Sequence, residues 1–246
     1  MHALHAGAAS KAWAALAGRL PRPRAFLIAS AHWETDTPRL TGAARPETIH
    51  DFFGFPRPLY AIRYPAAGAP DVAERARTLL QNAGFDALVD ARRGLDHGAW
   101  SPLLHMYPHG DIPVVQVSVQ SALGPRHHVA LGRALAPLST ENILIVGSGH
   151  MTHNLRDRLA DGAAPVAYAA EFQAWTDAAI RAHDFDALEN YRTRSTHGVR
   201  AHPAEEHFLP LFIALGAAAR DFGVERVHDG IESGVLAMDA YCLHPR

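Results

Sequence analysis

The chain has 246 residues, enough for one large domain or two small ones with ample core. Hydrophobic residues make up 48% and charged residues 20%, with 23 Lys plus Arg against 25 Asp plus Glu, so there is no basic field for nucleic acid or an anionic membrane. The single cysteine, Cys242, excludes an internal disulfide and any multi-thiolate zinc site.

In chain order, "SKAWAALAGRL" predicts a helix with Ser10 as its N-cap, and "AFLIASA" (25–31) a strand. Proline and glycine concentrate in 54–70, which reads as a long ordered loop. "APDVAERARTLLQNAG" predicts a helix ending on Gly84. The strand "IPVVQVSV" (112–119), the helix "RHHVALGRALAPL" and the strand "ILIVGSG" (143–149) follow, and then the helices "AAEFQAWTDAAIRAH" and "AEEHFLPLFIALGAAA". The strands are continuously apolar rather than alternating, as expected where both faces are covered. Strands alternating with helices predict a three-layer α/β/α domain around a mostly buried mixed sheet. With no internal repeat or long polar linker, one domain over 1–246 is expected. No apolar run nears the roughly 20 residues a bilayer requires, and the N-terminus lacks the order of a signal peptide, so a reducing, cytoplasmic setting is expected.

Histidine is the outlier, with 17 copies. Position selects among them. His32 ends the first strand, in "AFLIASAHWE". A lone histidine at a strand end is more often a hydrogen-bonded structural residue than a ligand. His153, in "GSGHMTHNLR", follows the strand 143–148 at its carboxyl side, where open α/β sheets bind ligands. His97 sits in the turn-rich "GLDHGAW", His207 near the start of the helix in "HPAEEHFLPL", and His50 opens the aromatic loop "HDFFGFP". Each has a bland reading as a cap, a surface residue or a strand-end hydrogen bond. Several imidazoles at loop and strand ends of a thiol-poor chain favour a metal held by nitrogen and oxygen. Nothing matches the helical H-E-x-x-H zinc pattern.

Five blocks carry a resemblance: "LPRPRAFLIASAHWE", "ARPETIHDFFGFPRPLYAIRYPAAGAP", "RGLDHGAWSPLLHMYPHGDIPVVQVSV", "LIVGSGHMTHNLR" and "HPAEEHFLPLFIALGAA". In this order, from about residue 10 to the C-terminus, the sequence resembles the DOPA-type, class III extradiol aromatic ring-opening dioxygenases. That group also holds the catalytic subunit of protocatechuate 4,5-dioxygenase. The resemblance implies that His32 and His207 are metal ligands and that His153 is the catalytic acid/base. It also implies that His97 faces substrate and oxygen, with His50 and Asn154 as substrate contacts. The implied reaction opens the ring of a small, DOPA-like catechol with O2 at iron(II), which leaves positions open for catecholate and dioxygen. Zinc would fit the same nitrogens and could occupy a purified sample, but it cannot do the redox step. The implied partners are therefore a catechol and O2, without nucleic acid or membrane, and a homo-oligomer stays open.

The family carries a further metal-binding histidine in an S-H-G-x-P block that alignment places ahead of Met1. The expectation is that this first strand is missing here, through either an upstream start or a lost ligand. His2, His5 and Glu206 are the candidate substitutes, the two histidines reading better as solvated terminal residues. His150 is a second departure, standing where the family usually has a small polar residue. Two alternatives stay beside the dioxygenase: a zinc-dependent hydrolase using His153 as base for a metal-bound water, and a catalytically impaired binding protein.

Overall fold

The structure, a computed structural model, describes residues 7–218 and 221–245. Helix α1 (Ala8–Ala17) leads into β1 (Ala25–Glu34) and β2 (Arg39–Thr41), then α2 (Arg57–Ala61), α3 (Pro70–Asn82) and β3 (Leu88–Asp90). Helix α4 (His97–Met106), β4 (Val114–Val119), α5 (Gly124–Leu135), α6 (Pro137–Thr140) and β5 (Ile143–Ser148) come next. Helices α7 (Ala167–Arg181), α8 (Phe185–Glu189), α9 (Tyr191–Arg194), α10 (Gly198–Ala201) and α11 (Leu209–Ala217) precede four short strands. These are β6 (Phe222–His228), β7 (Ile231–Glu232), β8 (Leu236–Ala237) and β9 (Ala240–Pro245).

Five strands form the central sheet in the order β3-β2-β4-β1-β5, parallel except where β2 meets β4. Its mixed character and flanking helices agree with the sequence expectation. The two-residue period of β1 sorts its side chains between two cores. Phe26 and Ile28 pack with Trp100 and Leu103 of α4 and with Tyr64 and Ile112. Leu27 and Ala29 face the larger core, built from α3, α5, α7 and α11. Every residue from Ala25 to Ala31 is buried, which is why β1 reads as an unbroken apolar run. Two small ribbons, β6 with β9 and β7 with β8, lie apart from this sheet. No helix among the described residues is long and apolar enough to cross a membrane.

Three local expectations need correction. Ser10 is not an N-cap: α1 starts at Ala8 with Gly7 in the cap position, and Ser10 is buried in its first turn. The 54–70 stretch is not all loop, because Arg57–Ala61 forms one helical turn with proline in its first positions. His207 lies in a turn before α11 rather than on the helix, which begins at Leu209 with Pro210 in its first turn.

Candidate active site

Pairing of β1 with β5 ends at Ser30↔Ser148. Two residues beyond this pair each strand delivers a histidine, His32 and His150, so S-A-H and S-G-H run side by side off the carboxyl edge of the sheet. On its other side β1 loses register with β4 between Ala29 and Glu34, which frees the His32 segment from the ladder.

A third segment, "DHG", is clamped against both strand ends. Ser30 Oγ donates to Asp96 Oδ1 at 2.7 Å, and Ser148 Oγ donates to the Gly98 carbonyl at 2.5 Å. Asp96 is wholly buried. It accepts from Gln116 Nε2 (2.7 Å) and Arg93 Nη2 (3.1 Å), and it caps α4 by accepting from the Ala99 N–H (3.3 Å). Arg93 also lies over the Trp33 ring, 4.7 Å from its centroid. His97 is thereby presented as the first residue of α4. Glycine is required next to it: a Cβ on Gly98 would fall 2.3 Å from Ser30 Oγ and 3.2 Å from His32 Cδ2.

Asp51 joins His97 to His32. Its Oδ1 accepts the His97 backbone N–H at 2.9 Å. Its Oδ2 lies 3.0 Å from His97 Nδ1, off the line of a well-formed hydrogen bond, and 3.4 Å from His32 Nδ1. Burial raises the Asp51 carboxyl, but bonding to His97 and the nearby imidazoles outweigh it and hold the group at about 2. The carboxylate is therefore ionised at neutral pH.

The 149–153 loop is bound to the turn carrying His207. The His150 N–H donates to the His207 carbonyl at 2.8 Å, and the His153 N–H to the Ala201 carbonyl at 2.9 Å. A Cβ on Gly149 would sit 2.1 Å from the His207 carbonyl oxygen, so only glycine permits this approach. His207 Nδ1–H donates to Glu206 Oε1 at 2.8 Å, which leaves Nε2 as its free lone pair.

Five imidazoles meet around these segments, those of His32, His97, His150, His153 and His207. The rings of His32 and His207 are 4.9 Å apart at 87°, and those of His32 and His97 are 3.9 Å apart. His150 lies 5.5 Å from His207 and 5.1 Å from His153, while His153 stacks on His207 at 3.4 Å and 12°. Burial pushes His32, His150 and His207 below the ordinary imidazole range, and the neighbouring imidazoles add to the effect. Burial also takes His153 down to about 4, against the opposing pull of Glu206. His32, His150, His153 and His207 are therefore neutral at pH 7, the form that binds a metal or accepts a proton. One nitrogen from each of His150, His153 and His207 lies within 4.8 Å of the others, as do donor atoms of His32, Asp51 and His97. This nitrogen-rich donor set with two carboxylates suits a divalent transition metal.

Other expected residues stand further back. His50 Nε2 lies 3.1 Å from the Ile62 carbonyl, and its ring packs on Phe52 (5.7 Å) and Trp100 (5.8 Å). Phe52 in turn stands edge-on to His97 at 5.3 Å, so His50 backs an aromatic wall beside the site. Asn154 is buried and its amide is committed to the loop. It donates to the Arg200 carbonyl (2.9 Å) and to Asp157 (3.3 Å), and accepts from the Arg156 N–H (3.2 Å). Glu206 bonds to His207 instead of standing beside it as a separate donor, because both lie in a turn. His2 and His5 lie outside the described residues. Sequence reasoning missed Asp51 and Asp96. It also missed the equivalence of His32 and His150, for which the repeated S-x-H at two strand ends was the available signal.

The family described as the catalytic LigB subunit of aromatic ring-opening dioxygenase matches residues 8–240. A protein of Beta vulgaris named 4,5-DOPA dioxygenase extradiol is 44% identical over 223 residues, which cover 89% of this chain and 82% of that protein. A protein of the same name from Escherichia coli K12 is 38% identical over 243 residues, covering 97% of this chain and 89% of that one. The crystal structure of an uncharacterized Escherichia coli K12 protein superimposes with a TM-score of 0.81 at 34% identity, covering 94% of this chain and 91% of that one. The family match over nearly the whole chain and these identities lead to one conclusion: this chain belongs to the LigB family of aromatic ring-opening dioxygenases.

Proposed function

We propose that the protein is a non-haem iron(II) extradiol dioxygenase that opens the ring of a small, DOPA-like catechol with O2. The substrate class follows the names of the relatives, and the chemistry follows the site. The observation that carries the reading is the arrangement of His153: its ring lies flat on the proposed ligand His207, neutral and free of any side-chain partner among the described residues. His32 and His207 would hold the metal through nitrogens left free by Asp51 and Glu206. Bound iron(II) supplies a redox partner that lets dioxygen react with a closed-shell catechol, which zinc cannot do.

His153 accepts the proton of a catechol hydroxyl at its imidazole nitrogen. Burial lowers its proton affinity, and a nearby anion such as a catecholate would raise it. His97, aligned by Asp51, would supply a hydrogen-bond donor beside the reacting atoms. Phe52, backed by His50, forms a wall for the aromatic ring, and Asn154 fixes the loop that presents His153.

The test is oxygen consumption by protein reconstituted anaerobically with iron(II) and then given L-DOPA, protocatechuate or catechol. The reading requires O2 uptake matching loss of the catechol one for one, abolished by replacing iron with zinc. Activity with zinc on an ester or amide, with no O2 uptake on any catechol, would replace it with a hydrolase.

A further inference from the structure

We infer that His150 is a protein ligand of the same metal centre, supplying a third imidazole nitrogen beside His32 and His207. The inference rests on the reading of that centre given above and extends it to a residue outside the expected ligand set.

Three independent observations carry it. The first is register. Parallel neighbouring strands lie about 4.8 Å apart, and β1 and β5 are in step up to Ser30↔Ser148. His32 and His150 both follow that pair by two residues, His32 still within β1 and His150 two residues past the end of β5. Each serine anchors to the Asp96–Gly98 segment, so both strand ends are fixed against one reference.

The second is ring geometry. Imidazole nitrogens about 2.1 Å from one ion, at angles near 100°, place their ring centres about 5 Å apart. The His32–His207 and His150–His207 separations, 4.9 Å and 5.5 Å with planes at 87° and 53°, match this spacing. The His153–His207 pair does not: at 3.4 Å and 12° its rings lie flat on each other. Relative to His207, then, His150 has the spacing of a fellow ligand and His153 does not, although one nitrogen from each of the three lies within 4.8 Å of the others.

The third is an unfilled bonding requirement. His150 Nδ1 is buried and has no hydrogen-bond partner among the described residues. A buried imidazole nitrogen without a partner costs free energy, and a metal would remove that cost. His150 is held stiffly enough to serve, since its backbone N–H is bonded to the His207 carbonyl and Gly149 allows their close contact.

Cobalt(II) is the probe, because its visible spectrum reports the number of nitrogen donors without turnover. The metal-free full chain and the variants His150→Ala, His150→Cys, His32→Ala, His207→Ala and His153→Gln are titrated with cobalt(II) against a chelating dye. Circular dichroism of each confirms folding. His150→Ala is expected to weaken binding at least 10-fold and to shift the visible bands, as His32→Ala and His207→Ala do, while His153→Gln changes neither. His150→Cys should recover affinity and add a thiolate-to-cobalt charge-transfer band, which a purely structural histidine would not give. Wild-type affinity and spectrum in His150→Ala, with binding lost in His32→Ala and His207→Ala, would overturn the inference and leave the metal centre standing. Wild-type binding in all three alanine variants would overturn both.

Discussion

The imidazoles of His153 and His207 are stacked, with centroids 3.4 Å apart and planes 12° from parallel. The pair places a group able to take up a proton directly against one able to hold a metal, and the two functions are separable by mutation. His153→Gln is expected to retain full metal content while its turnover falls about 10²–10⁴-fold, the range for loss of a general base. Metal analysis beside steady-state oxygen uptake checks this, and loss of metal would make His153 a ligand instead.

With His207 as the proposed ligand, Glu206 would act on the metal through it. With the carboxylate removed, Nδ1–H loses a charged acceptor and the ring loses both orientation and basicity. Glu206→Gln is expected to lower metal affinity about 10–100-fold without reducing the number of nitrogen donors seen by cobalt(II) spectroscopy. A change in donor number would mean that the carboxylate itself is a ligand.

Asp96 is a buried carboxylate with four donors pointed at it, from Ser30, Gln116, Arg93 and the start of α4. Asp96→Ala leaves Arg93 and Gln116 without their partner and uncaps the helix that carries His97. A cost of about 3–5 kcal/mol is expected in urea unfolding, as for other broken buried ion pairs. A loss under 1 kcal/mol would show that the network is dispensable.

The aromatic loop divides between support and surface. Phe52 touches His97, His50, Tyr60 and Trp100, whereas Phe53 is 91% exposed. Phe52→Ala is expected to destabilise the fold by about 1–3 kcal/mol and to raise KM for the catechol. Phe53→Ala should stay within about 0.5 kcal/mol of the parent in stability. If Phe53 meets substrate, its loss will change catechol preference in competition assays while leaving the melting temperature in place.

Away from the site, His128 gives a stability prediction in pH. Its Nδ1–H donates to the Gly124 carbonyl at 2.6 Å and its Nε2 accepts the Gln120 N–H at 3.0 Å, so only the neutral ring fits both. Burial holds it at about 4, below the ordinary 6.5. As pH falls through 6.5 the unfolded chain takes up a proton that the folded one refuses until about 4. Stability is therefore full above 6.5 and declines across that window, by about 3 kcal/mol from this residue. Imidazole NMR signals of His128 should not move between pH 7 and 5. Titration near 6.5 would refute the burial argument.

Much of the fold was legible because its signals are local. An unbroken apolar run such as Ala25–Ala31 needs only its own composition to declare a strand covered on both faces, and Gly84 ends α3 by taking φ +89° just past the helix. The failures share a different cause. Ser10 has the chemistry of a cap, but α1 begins two residues before it and Ser10 is buried within the first turn. Asp51 and Asp96 look like ordinary loop acids in sequence, since their partners His97, His32, Ser30 and Gln116 lie far along the chain and meet them only after folding. His50 and Asn154 were expected as substrate contacts, and nothing in the sequence signals the bonds that occupy them. The kinship of His32 and His150 depends on strand register, which no single stretch reveals.

The central placement of β1 has a consequence for how the molecule is made. The strand that presents His32 precedes both of its neighbours in the sheet by a long stretch of chain, since β4 begins at Val114 and β5 at Ile143. During synthesis the apolar Ala25–Ala31 run must wait for β4, complete at Val119, and then for β5, complete at Ser148, before both of its edges are paired. Pairing of this kind is slow and leaves hydrophobic surface exposed in the interval. The nascent chain is thus most prone to aggregate before residue 148 has appeared, and chaperones would be needed most over that window.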